Sequence, residues 1–325
     1  MKLSRLQFLH LTVGAAALPV ASRIAGAQTY PARPVRIIVG FPPAGGADIF
    51  ARLIGQRLSE RLGQRFVIEN RPGAGGNIGA EAVVRAPPDG YTLLMVLMLN
   101  AVNATLYENL NFNFIRDIAP VAGISREPCV MVVNPSVPAK TVPEFIAYAK
   151  ANPGKLNFVS GGNGSAQHVT GELFKMMAGV NMVHVSYRGA GPALTDLLGG
   201  QVQVMFPGMS SSIEYIRAGR LRVLGVTSAA RSEALPDVPT IGEFVPGYDV
   251  SQWYGVGAPK NTPVAIVDKL NKEITTTLAD PKITAQFADL GSVPLPIAPT
   301  AFATLIAEET EKWAKVIRAG NIKPE

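Results

Sequence analysis

Val35-Arg36-Ile37-Ile38-Val39-Gly40-Phe41 runs into Pro42-Pro43-Ala44-Gly45-Gly46, and Ile49, Phe50, Leu53, Ile54, Leu58 and Leu62 then follow at helical spacing until Gly63. The β-branched run reads as a buried strand, the Pro/Gly stretch as a loop, and the spaced apolar residues as one face of a helix. The unit recurs as strand Phe66 to Glu69, a glycine-rich turn, helix Ile78 to Arg85 and strand Thr92 to Leu99. That alternation predicts an α/β fold with a mostly parallel sheet covered by helices.

A second series begins near Val130. Thr141-Val142-Pro143-Glu144 has the form of a capping box opening a helix that ends before Pro153. Strand Leu156 to Ser160, helix Gln167 to Met177, strand Met182 to Tyr187, helix Pro192 to Leu198, strand Val202 to Phe206 and strand Leu221 to Thr227 continue it. After strand Trp253 to Gly257, Thr262-Pro263, Asp280-Pro281 and Pro299-Thr300 start three late helices. Two series predict two lobes, residues 28–127 and 128–244, with 245–325 returning to the first.

Two glycine loops occupy equivalent places, each joining the carboxyl end of a strand to a helix start. The first spans Phe41, Ala44, Gly45, Gly46 and Asp48; the second spans Ser160, Gly161, Gly162, Gly164 and Ser165. Ligands of open α/β sheets bind at such places, and unpaired amides with the positive end of the helix dipole favour an anion. Asp48 either caps its helix or touches the ligand, and His168 either supports the fold or braces the second loop. Arg188 either pairs with a ligand carboxylate or forms a surface ion pair. Tyr187 and Trp253 pack either on the ligand or in the core.

Other chemistries find little support. Arg71-Pro72-Gly73-Ala74-Gly75-Gly76-Asn77-Ile78-Gly79 lacks the G-x-G-x-x-G spacing of a dinucleotide site, and no loop carries a Walker Lys-Ser pair. No G-x-S-x-G elbow surrounds Ser165, so no catalytic residue is assigned. Beyond the leader there are two histidines, His168 and His184, and Cys129 is the sole cysteine, so neither a metal site, a cofactor nor an internal disulfide is expected.

The chain has 325 residues, 47% hydrophobic and 17% charged, enough for a large core. Lys2 and Arg5 precede an apolar run from Phe8 to Ala21, and Ala25-Gly26-Ala27 is a small-x-small cleavage pattern. Residues 1–27 are therefore expected to be a removable export signal, which places the mature protein in the periplasm. Lys2, Arg5 and Arg23 supply three of the six net positive charges, leaving +3. The remaining arginines are interleaved with acids, so no nucleic-acid surface is expected.

Several phrases taken in order resemble one family: Tyr30-Pro31 to Val39, Gly45 to Asp48, Glu69 to Gly79, Pro88-Asp89-Gly90-Tyr91-Thr92-Leu93, Gly164-Ser165 with His168, Tyr187-Arg188-Gly189, Leu235-Pro236-Asp237-Val238-Pro239-Thr240 and Trp253. The chain is similar to the substrate-binding proteins of tripartite tricarboxylate transporters, the Bug family of extracytoplasmic receptors. The resemblance implies a type II periplasmic-binding-protein fold, with two α/β lobes, a hinge and an interlobe ligand cleft. It also implies a small organic acid held chiefly by backbone amides of the two loops: a di- or tricarboxylate, an aromatic acid or an acidic amino acid. The implied partners are membrane permease subunits. A receptor that signals without transport is the alternative, and an enzyme using Ser165 is a third reading. Ala44 departs from the family, standing where glycine is frequent.

Overall fold

The computed structural model describes residues 30–324, so the expected export signal lies outside the described residues. The first half of the chain runs β1 (Val35–Val39), α1 (Gly46–Leu62), β2 (Phe66–Asn70), α2 (Asn77–Val84), β3 (Thr92–Leu97), α3 (Met98–Leu106), α4 (Phe114–Asp117) and β4 (Ile118–Pro128). The middle continues through β5 (Val130–Val133), α5 (Val142–Ala151), β6 (Asn157–Ser160), α6 (Ala166–Ala178), β7 (Val183–Ser186), α7 (Ala190–Leu198), β8 (Val204–Met205), α8 (Ile213–Arg217) and β9 (Arg222–Val226). It closes with β10 (Ser251–Pro259), α9 (Val264–Leu278), α10 (Pro281–Asp289), β11 (Val293–Pro294) and α11 (Pro299–Ala319).

These strands build two sheets, ordered β11-β4-β10-β3-β1-β2 and β7-β6-β8-β5-β9. In the first, β1 runs parallel to β2 on one side and to β3 on the other, while β10 is antiparallel to both β3 and β4. In the second, β6 is parallel to β7 and β8, and β5 is antiparallel to β8 and β9. The expected parallel units are present, but the sheets are not mostly parallel: among the described residues four strand pairs are parallel and five antiparallel, because β4, β5, β9 and β10, which carry the chain between the sheets, pair antiparallel to their neighbours. Cys129 alone separates β4 from β5, and on the return pass Thr227 and Val250 lie beside it. The Thr227 amide donates to the Cys129 carbonyl at 2.9 Å and the Val250 amide to the Thr227 carbonyl at 2.8 Å.

The first helix shows why these residues make these elements. Phe50, Ile54 and Leu58 of α1 are fully buried on the sheet, each contributing about 1.5–3 kcal/mol. Gly63 then ends the helix with φ 68°, a conformation that costs glycine nothing. On α5, the Thr141 hydroxyl accepts the Glu144 amide at 3.3 Å, one arm of the expected capping box, while the Glu144 carboxylate accepts the Lys140 amide at 2.7 Å in place of that of Thr141.

One expected strand is wrong in extent. The run Thr92 to Leu99 leaves the sheet after Leu97 and becomes α3 at Met98. Asn100 Oδ1 accepts the Leu97 amide at 2.9 Å and starts the helix. Uniformly apolar residues carry no period, so a buried strand and a buried helix look alike in sequence.

Candidate functional site

Each of the three helices α1, α6 and α7 follows the carboxyl end of a parallel strand after a short loop, and all three starts line one cavity of ≈ 100 Å³. Gly45, Gly46 and Ala47 come from α1, Ser165, Ala166 and Gln167 from α6, and Ala190, Gly191 and Pro192 from α7. First-turn amides of a helix have no carbonyl four residues back, and the dipole makes each start worth about half a positive charge. Among the described residues no Lys, Arg or His lines this cavity. Its lining offers neutral amide donors, with Glu127 as its one carboxylate.

An adjoining cavity of ≈ 510 Å³ shares Phe41, Pro42, Leu99, Gly161 and Ser165 with the first and extends to Gly162, Tyr187, Arg188 and the Gly73–Gly76 turn. The five shared residues form the boundary common to the two cavities. The Gly73–Gly76 cluster, rejected as a nucleotide motif, is a wall of this cleft. A Cβ on Gly76 would stand 2.9 Å from the Phe41 ring, so glycine lets the turn close on that ring.

Asp48 and Ala44 do not line either cavity. Asp48 is buried and accepts the Ala44 amide at 3.1 Å, Asn70 Nδ2 at 3.0 Å and Arg52 Nε at 2.9 Å. Burial opposes its ionisation, but Arg52, Ala44 and Asn70 outweigh it and hold the carboxyl below its usual range. Asp48 is the brace of the first loop. Ala44 takes φ 67°, the left-handed conformation that favours glycine.

In the second loop, Gly161 and Ser165 reach both cavities, while Ser160, Gly164 and His168 stand behind them. A Cβ on Gly161 would lie 2.8 Å from the Ala190 amide nitrogen, so the loop touches the start of α7, and the Gly189 amide donates to the Gly161 carbonyl at 3.1 Å. Gly164 adopts φ 71° and sits against Leu106 of α3. Its amide donates to His168 Nδ1 at 2.9 Å. His168 therefore fixes the loop from beneath, and its ring stacks on His184 at 3.7 Å. Burial, with His168 close by, pushes His184 down to about 3, so it is neutral. Ser165 Oγ accepts the His168 amide at 3.3 Å; its contact with that histidine is to the backbone, which is a helix cap and not a nucleophile–base pair.

Tyr187 lines the larger cavity and donates to Asp196 at 2.6 Å, a bond that, with burial, pushes the phenol up to about 12. Arg188 is exposed at the rim of the same cavity. Trp253 is not brought to the cleft. It is 1% exposed, edge-on to Phe302 at 5.6 Å, with Nε1 donating to Glu309 at 3.2 Å. Strand alternation explains this: Trp253 and Tyr254 point to opposite faces of β10, and it is Tyr254 that lines the smaller cavity.

The floor of that cavity, Glu127, Gln252 and Tyr254, was not found by sequence reasoning. Glu127 lies on β4, a strand whose Ser125-Arg126-Glu127-Pro128 end reads as a charged surface turn. The start of α7 at Ala190 was also missed, because Pro192 draws the eye to a later start. The alternation of Gln252, Trp253 and Tyr254 was the available signal for the floor. Among the described residues no group of three or more His, Cys, Asp or Glu could hold a metal ion, and no helix is long and apolar enough to cross a membrane.

A family model, the tripartite tricarboxylate transporter family receptor, matches residues 50–322. The chain belongs to that family. Protein BugT of Bordetella pertussis is 38% identical over 300 residues, which cover 91% of this chain and 92% of BugT. An R. palustris protein solved with adipate is 37% identical with TM-score 0.88, covering 91% of this chain and all of that one. MatC from Rhodopseudomonas palustris, solved with bound malate, is 32% identical with TM-score 0.83, covering 89% of this chain and all of MatC. As a member of this family the chain is a solute-binding receptor with the two-lobed periplasmic-binding fold, and it is not an enzyme.

Proposed function

We propose that this receptor, exported to the periplasm, captures a small carboxylic acid between its two sheets and delivers it to the membrane permease subunits of a tripartite tricarboxylate-type transporter. In this reading residues 28–127 and 245–325 form one lobe and residues 128–244 the other. The observation that carries it is the convergence of three helix starts on a cavity without a cationic side chain. The carboxylate is held by amides of Gly45, Gly46, Ala166, Gln167, Ala190 and Gly191, with Ser165 adding its hydroxyl. Adipate and malate in two relatives support the acid class, and the family's transporter supports the permease.

Calorimetric titration with adipate, malate and a wider library of organic acids tests the reading. Gly161→Val is expected to abolish binding, because the added carbons would force the loop off the Ala190 amide. Ser165→Ala is expected to cost about 1–3 kcal/mol, the effect of deleting one partner of a buried hydrogen bond. Full affinity in Gly161→Val, or no acid bound by the wild type, would refute the site.

A further inference from the structure

The floor of the smaller cavity holds a buried chain of hydrogen-bonded side chains that the anion site does not itself require. Glu127 has no exposed surface; Oε2 accepts the Ser210 amide at 3.0 Å and Oε1 lies 2.8 Å from Tyr254 Oη. Tyr254 Oη is also 2.9 Å from Gln252 Oε1, and Gln252 Nε2 donates to Cys129 Sγ at 3.1 Å. A phenol has one proton, yet here it stands between two acceptor oxygens. A proton on Glu127 resolves the conflict. Glu127 then donates to Tyr254, Tyr254 to Gln252, and Gln252 to Cys129.

The surroundings agree with that count. Gly46 of α1, Gly208 and Ser210 before α8, Cys129 after β4, and Gln252 and Tyr254 of β10 pack around the carboxyl. Of these, Cys129 and Tyr254 titrate, and burial pushes the thiol up to about 12 and the phenol well above its ordinary value. Among the described residues no cation faces the group. An ionised Glu127 would be a buried carboxylate without a counter-charge, and burial accordingly pushes its carboxyl up. Turning the Gln252 amide over would pair its oxygen with the Cys129 thiol, a weak donor, and would leave that charge in place.

We propose that Glu127 is held as an un-ionised carboxylic acid and sets the charge of the cleft floor: neutral, it leaves the α1, α6 and α7 dipoles free for an anion, and ionised, it opposes the bound carboxylate. The effect on affinity rests on the carboxylate reading above; the protonation of Glu127 does not. The sign follows directly. Below the raised value Glu127 is neutral and anion affinity is full, and as pH rises through it a negative charge appears beside Gly46 and affinity falls.

Infrared difference spectra of the ligand-free chain, wild type against Glu127→Gln, test the proton. A C=O band of an un-ionised carboxylic acid is expected at neutral pH in the wild type and absent from the variant. Tyr254→Phe, which removes the acceptor of that proton, is expected to shift the band, so the assignment stands even if Glu127→Gln does not fold. Titration with adipate across the pH range in which that band disappears tests the role: wild-type affinity is expected to fall at least about tenfold as the proton leaves, and that of Glu127→Gln less than about threefold across the same range. No band at neutral pH overturns the proton, and equal pH slopes overturn the charge role. If neither adipate nor malate binds at any pH, the carboxylate reading fails together with the charge role, and the band still decides the proton.

Discussion

Ala44 and His184 show what single residues contribute to the cleft without touching a ligand. Ala44 holds φ 67° because its amide is fixed on Asp48, and a Cβ in that region costs about 1–3 kcal/mol. Ala44→Gly removes the clash but adds about 0.5–1 kcal/mol of chain entropy, so a net gain of about 1 kcal/mol in stability is expected. Denaturant unfolding measures it, and a loss would mean that the loop is unstrained. His184 is held neutral down to about 3, whereas an unfolded histidine protonates near 6.5. Its folded value is depressed, so its contribution is present above about pH 6.5 and lost as pH falls toward about 3. A few kcal/mol of stability should disappear across that window. His184→Phe should flatten the acid limb of the stability curve, and an unchanged limb would assign it to other groups. The depressed value was invisible in Val183-His184-Val185, because it comes from burial and from His168, sixteen positions away in the chain.

Elements place these residues, and α11 does so from outside the cleft. It packs on β4 and α3, and its Glu309 Oε2 accepts both Trp253 Nε1 at 3.2 Å and Trp313 Nε1 at 2.9 Å. Glu309→Ala leaves two buried indole donors unpartnered, so stability is expected to fall by about 2–4 kcal/mol while acid affinity changes little. Thermal unfolding alongside calorimetry separates the two quantities, and a large loss of affinity would place Trp253 in the binding machinery after all. The start of α11 was legible from Pro299-Thr300, but its docking on β10 was not, because a strand's two faces are assigned only when its neighbours are known. Likewise α1 was readable from its apolar period, whereas α3 was hidden in a run without one.

For the whole molecule, two strands carry the chain between the sheets, with Cys129 beside Thr227 at the junction. If the proposed acid touches helix starts of both sheets, a closed arrangement of the two is the expected consequence of its differential contacts. Small-angle scattering at saturating acid is expected to show a smaller radius of gyration than the free receptor, and identical curves would exclude closure. The sequence by itself determined the repeated strand–loop–helix units, the glycine loops at two helix starts, the apolar strands and the family, because each rests on local period, turn chemistry or motif order. Only the tertiary structure decided that the start of α7 lines the same cavity as those of α1 and α6, that Trp253 faces away while Tyr254 faces in, and that Asp48 and His168 brace the loops from behind. It also decided that Glu127 lies buried in the floor of that cavity. Those outcomes depend on which face of a strand meets which neighbour. That is settled by packing between segments more than a hundred residues apart, such as Glu127 and Tyr254, and no local pattern encodes it.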